Sequence, residues 1–307
     1  MKKLIWLLPV ILALLSSAVL CSCTKSEGYI YVEGKVNIVA TTTMIGDLAK
    51  EVGGDFVSVT TLMNVGVDPH SYQPKPSDAA ALNKADLVIL NGLHLEAQMG
   101  TVISRIGDKV LVIGDAIGEN KLLKGEDGAV DPHIWFDVNL WKSAAGAVGN
   151  KLKSVDAENE QAYQTRTETY LNELDVLNQY VQGKVSELSA KKRILVTAHD
   201  AFRYYANAYG FEVYAIQGIS TETEASATDI QDLANLVVGL KVKAIFIESS
   251  VPQETVQSVI NAASARGHTV IIGGELFSDS LGDSASSAET YIKTIRKNTD
   301  TIVNALK

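Results

Sequence analysis

The sequence predicts an α/β protein of two lobes, each with a parallel sheet, joined by one long backbone helix, with a metal site in the cleft between the lobes. Short β-branched runs alternate with helical patterns in the first half, the same alternation returns after Lys192, and a long helical stretch separates the two. Near-continuous apolar strands set between helices are the mark of a sheet covered on both faces.

In the first half the strand candidates are Val36 to Ala40, Val57 to Met63, Leu87 to Leu90 and Val110 to Ile113. Ile45, Leu48, Ala49 and Val52 fall at i, i+3, i+4 and i+7 and stop at Gly53-Gly54, which reads as a helix. Leu95, Met99, Val102, Ile103 and Ile106 repeat the spacing and predict a second helix. In the second half, Ile194 to Ala198, Val213 to Gln217, Ala244 to Glu248 and Val270 to Ile272 read as strands, with helices at Ala225 to Leu240 and Thr255 to Arg266. Between the halves, Tyr163, Tyr170, Leu174, Leu177, Val181, Val185 and Leu188 lie at helical spacing within Asp156 to Ser189, with Asp156 placed to cap the helix. Unbroken, that helix would run roughly 50 Å at 1.5 Å per residue and restrain hinge opening; a hairpin broken at Gly183 is the alternative. The expected organisation is a lobe over 36–155, the helix over 156–190 and a lobe over 191–307.

The start of the chain has another purpose. Lys2 and Lys3 precede an apolar stretch from Leu4 to Leu20, the profile of an export signal. Leu20-Cys21-Ser22-Cys23 resembles a bacterial lipobox, so residues 1–22 are expected to be removed and Cys23 to be lipidated, with 23–35 as a tether. Cys21 fits worse, because Leu20 would stand where a small residue is needed, and an uncleaved anchor falls short of the roughly 20 apolar residues that cross a bilayer. Both cysteines lie here, which leaves no disulfide and no cysteine-based metal site in the remainder. The formal charge of −9 becomes more negative by two when Lys2 and Lys3 leave, which argues against nucleic acid as a partner.

Of five histidines, three sit in loops that directly follow predicted strands, where α/β folds place ligands. His70 and His133 each stand in an Asp-Pro-His sequence, and His199 ends the strand that begins at Ile194. Proline stiffens the loop, so the imidazole is presented at little ordering cost, and Asp68 or Asp131 could orient its histidine from behind. Imidazoles suit zinc, manganese, iron, nickel or copper better than calcium or magnesium. A completing carboxylate is expected in the loop from Gly273 to Asp283, where Glu275, Asp279 and Asp283 are equally placed by sequence; Glu248, at a strand end, is a further candidate for ligation or for holding loop amides. His94 and His268 read as turn or helix-end residues.

The motifs Ala40-Thr41-Thr42-Thr43-Met44-Ile45-Gly46-Asp47, Asp68-Pro69-His70, Asn91-Gly92-Leu93-His94-Leu95-Glu96, Asp131-Pro132-His133-Ile134-Trp135-Phe136-Asp137, Thr197-Ala198-His199-Asp200-Ala201-Phe202, Phe246-Ile247-Glu248-Ser249-Ser250 and Gly273-Gly274-Glu275-Leu276-Phe277-Ser278-Asp279 resemble those of the cluster A-I metal-binding receptors of ABC transporters. The resemblance covers essentially everything after Cys23. It implies His70, His133, His199 and Asp279 as metal ligands; Asp68, Asp131 and Glu248 stay, on the residue reading above, the candidates to hold them from behind. It also implies Zn2+ or Mn2+ as the transported ligand, an ABC permease and its cytoplasmic ATPase as partners, and a monomer held outside the cytoplasmic membrane. Many zinc-dedicated relatives carry a His-rich loop before the second histidine motif, and Gly118 to Val130 has none. Manganese-dedicated relatives often have Glu where His199 stands. A zinc-dependent hydrolase and a surface adhesin lipoprotein are the alternative readings, although no His-Glu-x-x-His pattern occurs.

Overall fold

The computed structural model describes residues 29–125 and 128–307; the expected leader, Cys23 and the first part of the tether lie outside the described residues. Strands β1 (Val36–Ala40), β2 (Val57–Thr61), β3 (Leu87–Leu90) and β4 (Val110–Val112) form one parallel sheet in the order β2-β1-β3-β4. Every residue of β1 and β3 is buried, which is why both read as unbroken apolar runs rather than alternating ones. Helix α1 (Thr43–Gly53) buries Ile45, Leu48, Ala49 and Val52, and α2 (Pro76–Lys84) starts on a proline, whose missing N–H costs nothing at a helix start.

The helix expected across Leu95 to Ile106 is instead a 3-10 turn at Ala97–Met99 and a single turn of α-helix, α3 (Gly100–Ile103). Gly92, Leu93 and His94 all take left-handed backbone conformations, with φ of 75°, 54° and 68°, so the chain is still turning where the apolar spacing begins. Helix α4 (Val138–Val155) then starts at Asp137, whose carboxylate accepts from the Asn139 amide.

The linking helix α5 (Glu160–Val185) is 26 residues long, which is about 39 Å at 1.5 Å per residue. It runs unbroken through Gly183, but it is shorter than the apolar spacing predicts. Asp156 does not cap it: its carboxylate accepts from Asn159 Nδ2 at 2.9 Å and from the Tyr163 hydroxyl at 2.7 Å, and Asn159 occupies the cap position. Tyr163, Tyr170, Leu174, Leu177, Val181 and Val185 join one apolar core with residues of both halves of the chain, among them Ile38, Trp141, Tyr205 and Ile302. Arg166 donates to the Glu51 carbonyl in α1, and the Tyr180 hydroxyl donates to Asp300 near the chain end, so the rod is fastened to both halves.

The second half holds β5 (Ile194–His199), α6 (Arg203–Tyr209), β6 (Glu212–Gln217), α7 (Ala227–Gly239), β7 (Ala244–Glu248), α8 (Glu254–Ala265), β8 (Ile271–Leu276) and α9 (Tyr291–Leu306). Its strands form two parallel pairs, β5-β6 and β7-β8, packed side by side through β5 and β7. Strand β8 extends past the expected Ile272 through Gly273 and Gly274 to Leu276, with a register shift opposite Ile245 and Phe246. A Cβ on Gly273 would stand 2.6 Å from the Phe246 ring, so this strand needs glycine to pair there. Among the described residues no helix is long and apolar enough to cross a membrane.

Candidate metal centre

Each half delivers two of its loops to one point. His70 follows β2 and His133 follows β4, whereas His199 closes β5 and Asp279 lies just beyond β8. In the His133 loop, Asp131 Oδ1 accepts from the His133 amide at 3.0 Å and lies 2.7 Å from His133 Nδ1. Glu248 grips the His199 backbone in the same way, Oε1 accepting from the His199 amide at 2.8 Å, while Oε2 stands 2.6 Å from His199 Nδ1 as an ion-pair contact. A carboxylate at Nδ1 holds a proton on that edge, so Nε2 is the nitrogen left to face an ion once its own proton is displaced. Asp68 departs from the expectation that it orients the His70 ring. Its Oδ1 accepts from the His70 backbone amide at 2.9 Å, and Oδ2 is taken by the hydroxyls of Ser71 at 2.8 Å and Thr221 at 2.6 Å. It shapes the loop and reaches the other half, and its carboxylate makes no hydrogen bond to the imidazole.

The three Nε2 atoms and the Asp279 carboxylate face one another. Nε2 of His133 is 3.3 Å from that of His70 and 3.3 Å from that of His199, while Asp279 places Oδ1 3.4 Å from His133 Nε2 and Oδ2 3.2 Å from His199 Nε2. His70 Nε2 to Asp279 Oδ2 is the longer edge at 4.0 Å, and all four donors lie within 4.8 Å of one another. An ion bound tetrahedrally at about 2.0–2.1 Å sets its donors about 3.3–3.5 Å apart, and the four edges at 3.2–3.4 Å fit such an ion, whereas the His70–Asp279 edge at 4.0 Å is longer. Both Asp279 oxygens are buried without a hydrogen-bond donor, a costly state for a carboxylate unless a cation is its partner.

The charges fit the same reading. Burial holds the His70 imidazole down to about 4, so it is neutral and ready to coordinate. Burial also opposes a proton on His133 and His199, but Asp131 and Asp279 push His133 up to about 9, and Asp279 and Glu248 push His199 well above its ordinary value. For Asp279, burial is outweighed by His199 and His133, which hold the carboxyl well below the usual carboxylate range. Without a cation, protons on the rings balance the carboxylates.

Of the three loop acids left open by sequence, Glu275 is exposed on β8 and Asp283 is exposed and bonded to Ser286. Asp279 alone of the three turns inward to the cluster. His268 lies away from it, with Nε2 2.7 Å from the Val242 carbonyl, and His94 is exposed. A cavity of about 740 Å³ opens beside His70, with His94, Asp200, Arg203 and Gln217 on its walls. Sequence reasoning missed Trp135, whose indole donates to the Ser278 carbonyl at 3.0 Å and so ties the His133 loop to the residue before Asp279. It missed Tyr204 too, whose hydroxyl donates to the Asp131 carbonyl at 3.0 Å. Trp135 stands two residues after His133 in an apolar run, which was the available signal.

Comparison with known proteins decides the family. The family described as ZnuA, zinc-uptake complex component A, periplasmic, matches residues 38–305. The chain belongs to the ZnuA family. Within reach of it is the zinc-binding protein TroA of Treponema pallidum, 45% identical over 276 residues that cover 89% of this chain and 90% of TroA. The manganese-binding lipoprotein MntA of Bacillus subtilis is 36% identical, covering 96% of this chain and 97% of MntA. The solved structure of the T. pallidum protein superposes with a TM-score of 0.87 over 89% of this chain and 99% of that one. The ZnuA-family architecture of two lobes, parallel sheets and a long helix is therefore the architecture of this chain.

Proposed function

We propose that the protein captures a divalent transition metal, zinc or manganese, outside the cytoplasmic membrane and delivers it to an ABC permease driven by a cytoplasmic ATPase. The observation that carries this reading is the convergence of four buried donor atoms, from loops of both halves, within 4.8 Å of one another. His70, His133, His199 and Asp279 are the ligands, with Asp131 and Glu248 fixing two of the rings. The relatives named as zinc-binding and manganese-binding support the choice of cargo. The lobes span 36–155 and 191–307, with 156–190 between them, and the mature protein is a monomer; its tether is a lipid on Cys23, a reading that relatives named as lipoproteins support.

The protein acts by binding and does no catalysis of its own. A catalytic zinc keeps one position open for water, whereas three imidazoles and Asp279 fill a four-coordinate shell. Elemental analysis of the mature chain, purified without chelator, should find about one equivalent of zinc or manganese per chain, lost when His133 is replaced by Ala. A chain that carries neither metal and takes up neither in equilibrium dialysis would refute the assignment.

A further inference from the structure

Asn91-Gly92-Leu93-His94-Leu95-Glu96 supplies none of the four donors, yet it contains a buried carboxylate held with care. Glu96 Oε1 accepts from the Thr41 hydroxyl at 2.7 Å and from the Asn91 amide at 2.8 Å, and Oε2 accepts from the Gly92 amide at 3.0 Å. Glu96 is 4% exposed, and among the described residues no lysine or arginine pairs with it. A buried carboxylate in that state is tolerated only when donors replace its water, and here all three come from the ends of β1 and β3.

The turn that Glu96 closes is strained, with two consecutive non-glycine residues, Leu93 and His94, in the left-handed region. Its product is the placement of the Asn91 side chain. Asn91 Nδ2 donates to the Pro132 carbonyl at 3.0 Å and to the Gly92 carbonyl at 3.2 Å, while the Asn91 carbonyl accepts from the Gly114 amide at 2.9 Å. Pro132 immediately precedes His133. A continuous chain of contacts thus runs from Thr41 through Glu96 and Asn91 to the backbone that carries His133, and Tyr204 grips the same loop from the other side through the Asp131 carbonyl.

We infer that Asn91 and Glu96 are positioning residues of the metal centre: Glu96 fixes the turn that aims the Asn91 amide at Pro132, and this sets His133 Nε2 in place before the ion arrives. The inference rests on the metal-binding role proposed above. A strained turn and a fully donor-bonded buried acid, spent on a loop one residue from a ligand, are what pre-organisation of a metal site requires.

The test uses the mature chain, with Zn2+ affinity measured by chelator competition, Co2+ visible absorption as a probe of coordination, and melting of the metal-free protein. Asn91→Ala should lower Zn2+ affinity by roughly 10- to 100-fold, the usual cost of losing a partner behind a ligand, and should change the Co2+ spectrum. Glu96→Gln puts an amide N–H against the Gly92 or Asn91 amide and should do the same, whereas His268→Ala should leave affinity and spectrum unchanged. The deciding variant is Asn91→Ala combined with His133→Ala. If Asn91 acts through His133, the double variant binds no more weakly than His133→Ala alone. Fold-losses that multiply, or an Asn91→Ala protein with wild-type affinity and spectrum, would overturn the positioning role while leaving the metal site standing. His133→Ala with wild-type affinity would instead overturn the metal site itself. Should Glu96→Gln fail to fold, the Asn91 variants decide alone.

Discussion

His133 is clamped by Asp131 at two points, through its backbone amide and through Nδ1, the latter 2.7 Å from Asp131 Oδ1. The ring can therefore neither flip nor change tautomer without breaking a buried contact. Asp131→Asn should weaken Zn2+ binding by roughly 10- to 100-fold, because an amide can also present its N–H₂ to the ring. Asp68→Asn serves as the contrast. Asp68 bonds the His70 backbone amide and not the ring, so this change should lower affinity by clearly less than about 10-fold, the least expected for a lost partner behind a ligand. Chelator competition on both variants checks the ratio, and equal losses would contradict it.

Binding should depend steeply on pH on the alkaline side of neutrality. His133 is pushed up to about 9 and His199 well above its ordinary value, so both carry protons at neutral pH that the ion must displace. Apparent affinity is expected to rise with pH above 7, by about one log unit per pH unit for each proton the ion displaces, with the His133 share levelling off near 9. His70, held down to about 4, adds nothing in that window. Proton release on metal addition, followed with a pH indicator, gives an independent count, and a flat profile from pH 7 to 9 would refute it.

The metal-free protein should show the matching stability profile. The folded value for His133 lies above the ordinary 6.5, so its contribution is complete below pH 6.5 and fades as pH rises through about 9. For His70 the folded value is depressed, so its neutral form is favoured in the folded chain and stability falls as pH drops from 6.5 through about 4. Chelated protein melted in urea across that range checks both limbs; a His70→Ala variant should lose the acid limb.

Because each half contributes two of the four proposed ligands, a bound ion should raise the melting temperature by mass action. At free metal about 100 times Kd the gain is about 2.7 kcal/mol. His199→Ala or Asp279→Ala should remove most of it, as should His70→Ala or His133→Ala. Retention of the full shift in the first pair would confine the site to the first half.

Membrane attachment has a separate test. Cys23→Ala should move the protein into a detergent-free soluble fraction, whereas Cys21→Ala should not. A Cys23 variant that still sediments with membranes would remove the lipid-anchor assignment.

Much of this fold is legible in the amino-acid pattern, for identifiable reasons. β1 and β3 stand out because burial on both faces leaves no polar alternation, and α1 because Gly53 and Gly54 end its apolar stripe. The stretch after Asn91 misleads, since Leu95 and Met99 are buried at helical spacing while the backbone at Leu93 and His94 turns left-handed, which composition does not encode. In the same way, apolar spacing reveals the buried face of α5 but not its start, because Asp156 bonds Asn159 and Tyr163 side chains that no cap pattern distinguishes. At the site, Asp-Pro-His and strand-end placement mark the three histidines by local chemistry. The choice of Asp279 over Glu275 and Asp283 depends on the path of β8 through Gly273 and Gly274, a three-dimensional fact that reached the sequence reading only through family resemblance. Asn91 and Glu96 stand in a motif the sequence displays, but what they touch is hidden there because Thr41 and Pro132 lie 55 and 41 positions away.

The indole of Trp135 meets the His133 ring edge-on, with ring centres 5.2 Å apart, while its N–H spans to the carbonyl beside Asp279. Beyond the expected leader, the sequence has one other tryptophan, Trp141, stacked on Tyr291 in the core. Trp135 is therefore placed as an optical reporter: its ultraviolet emission should change when the neighbouring imidazole gains a proton or an ion, and that of Trp141 in the core should change little. Paramagnetic Mn2+ or Co2+ should dim that emission where closed-shell Zn2+ does not, so loading by different ions can be told apart in solution without any attached dye.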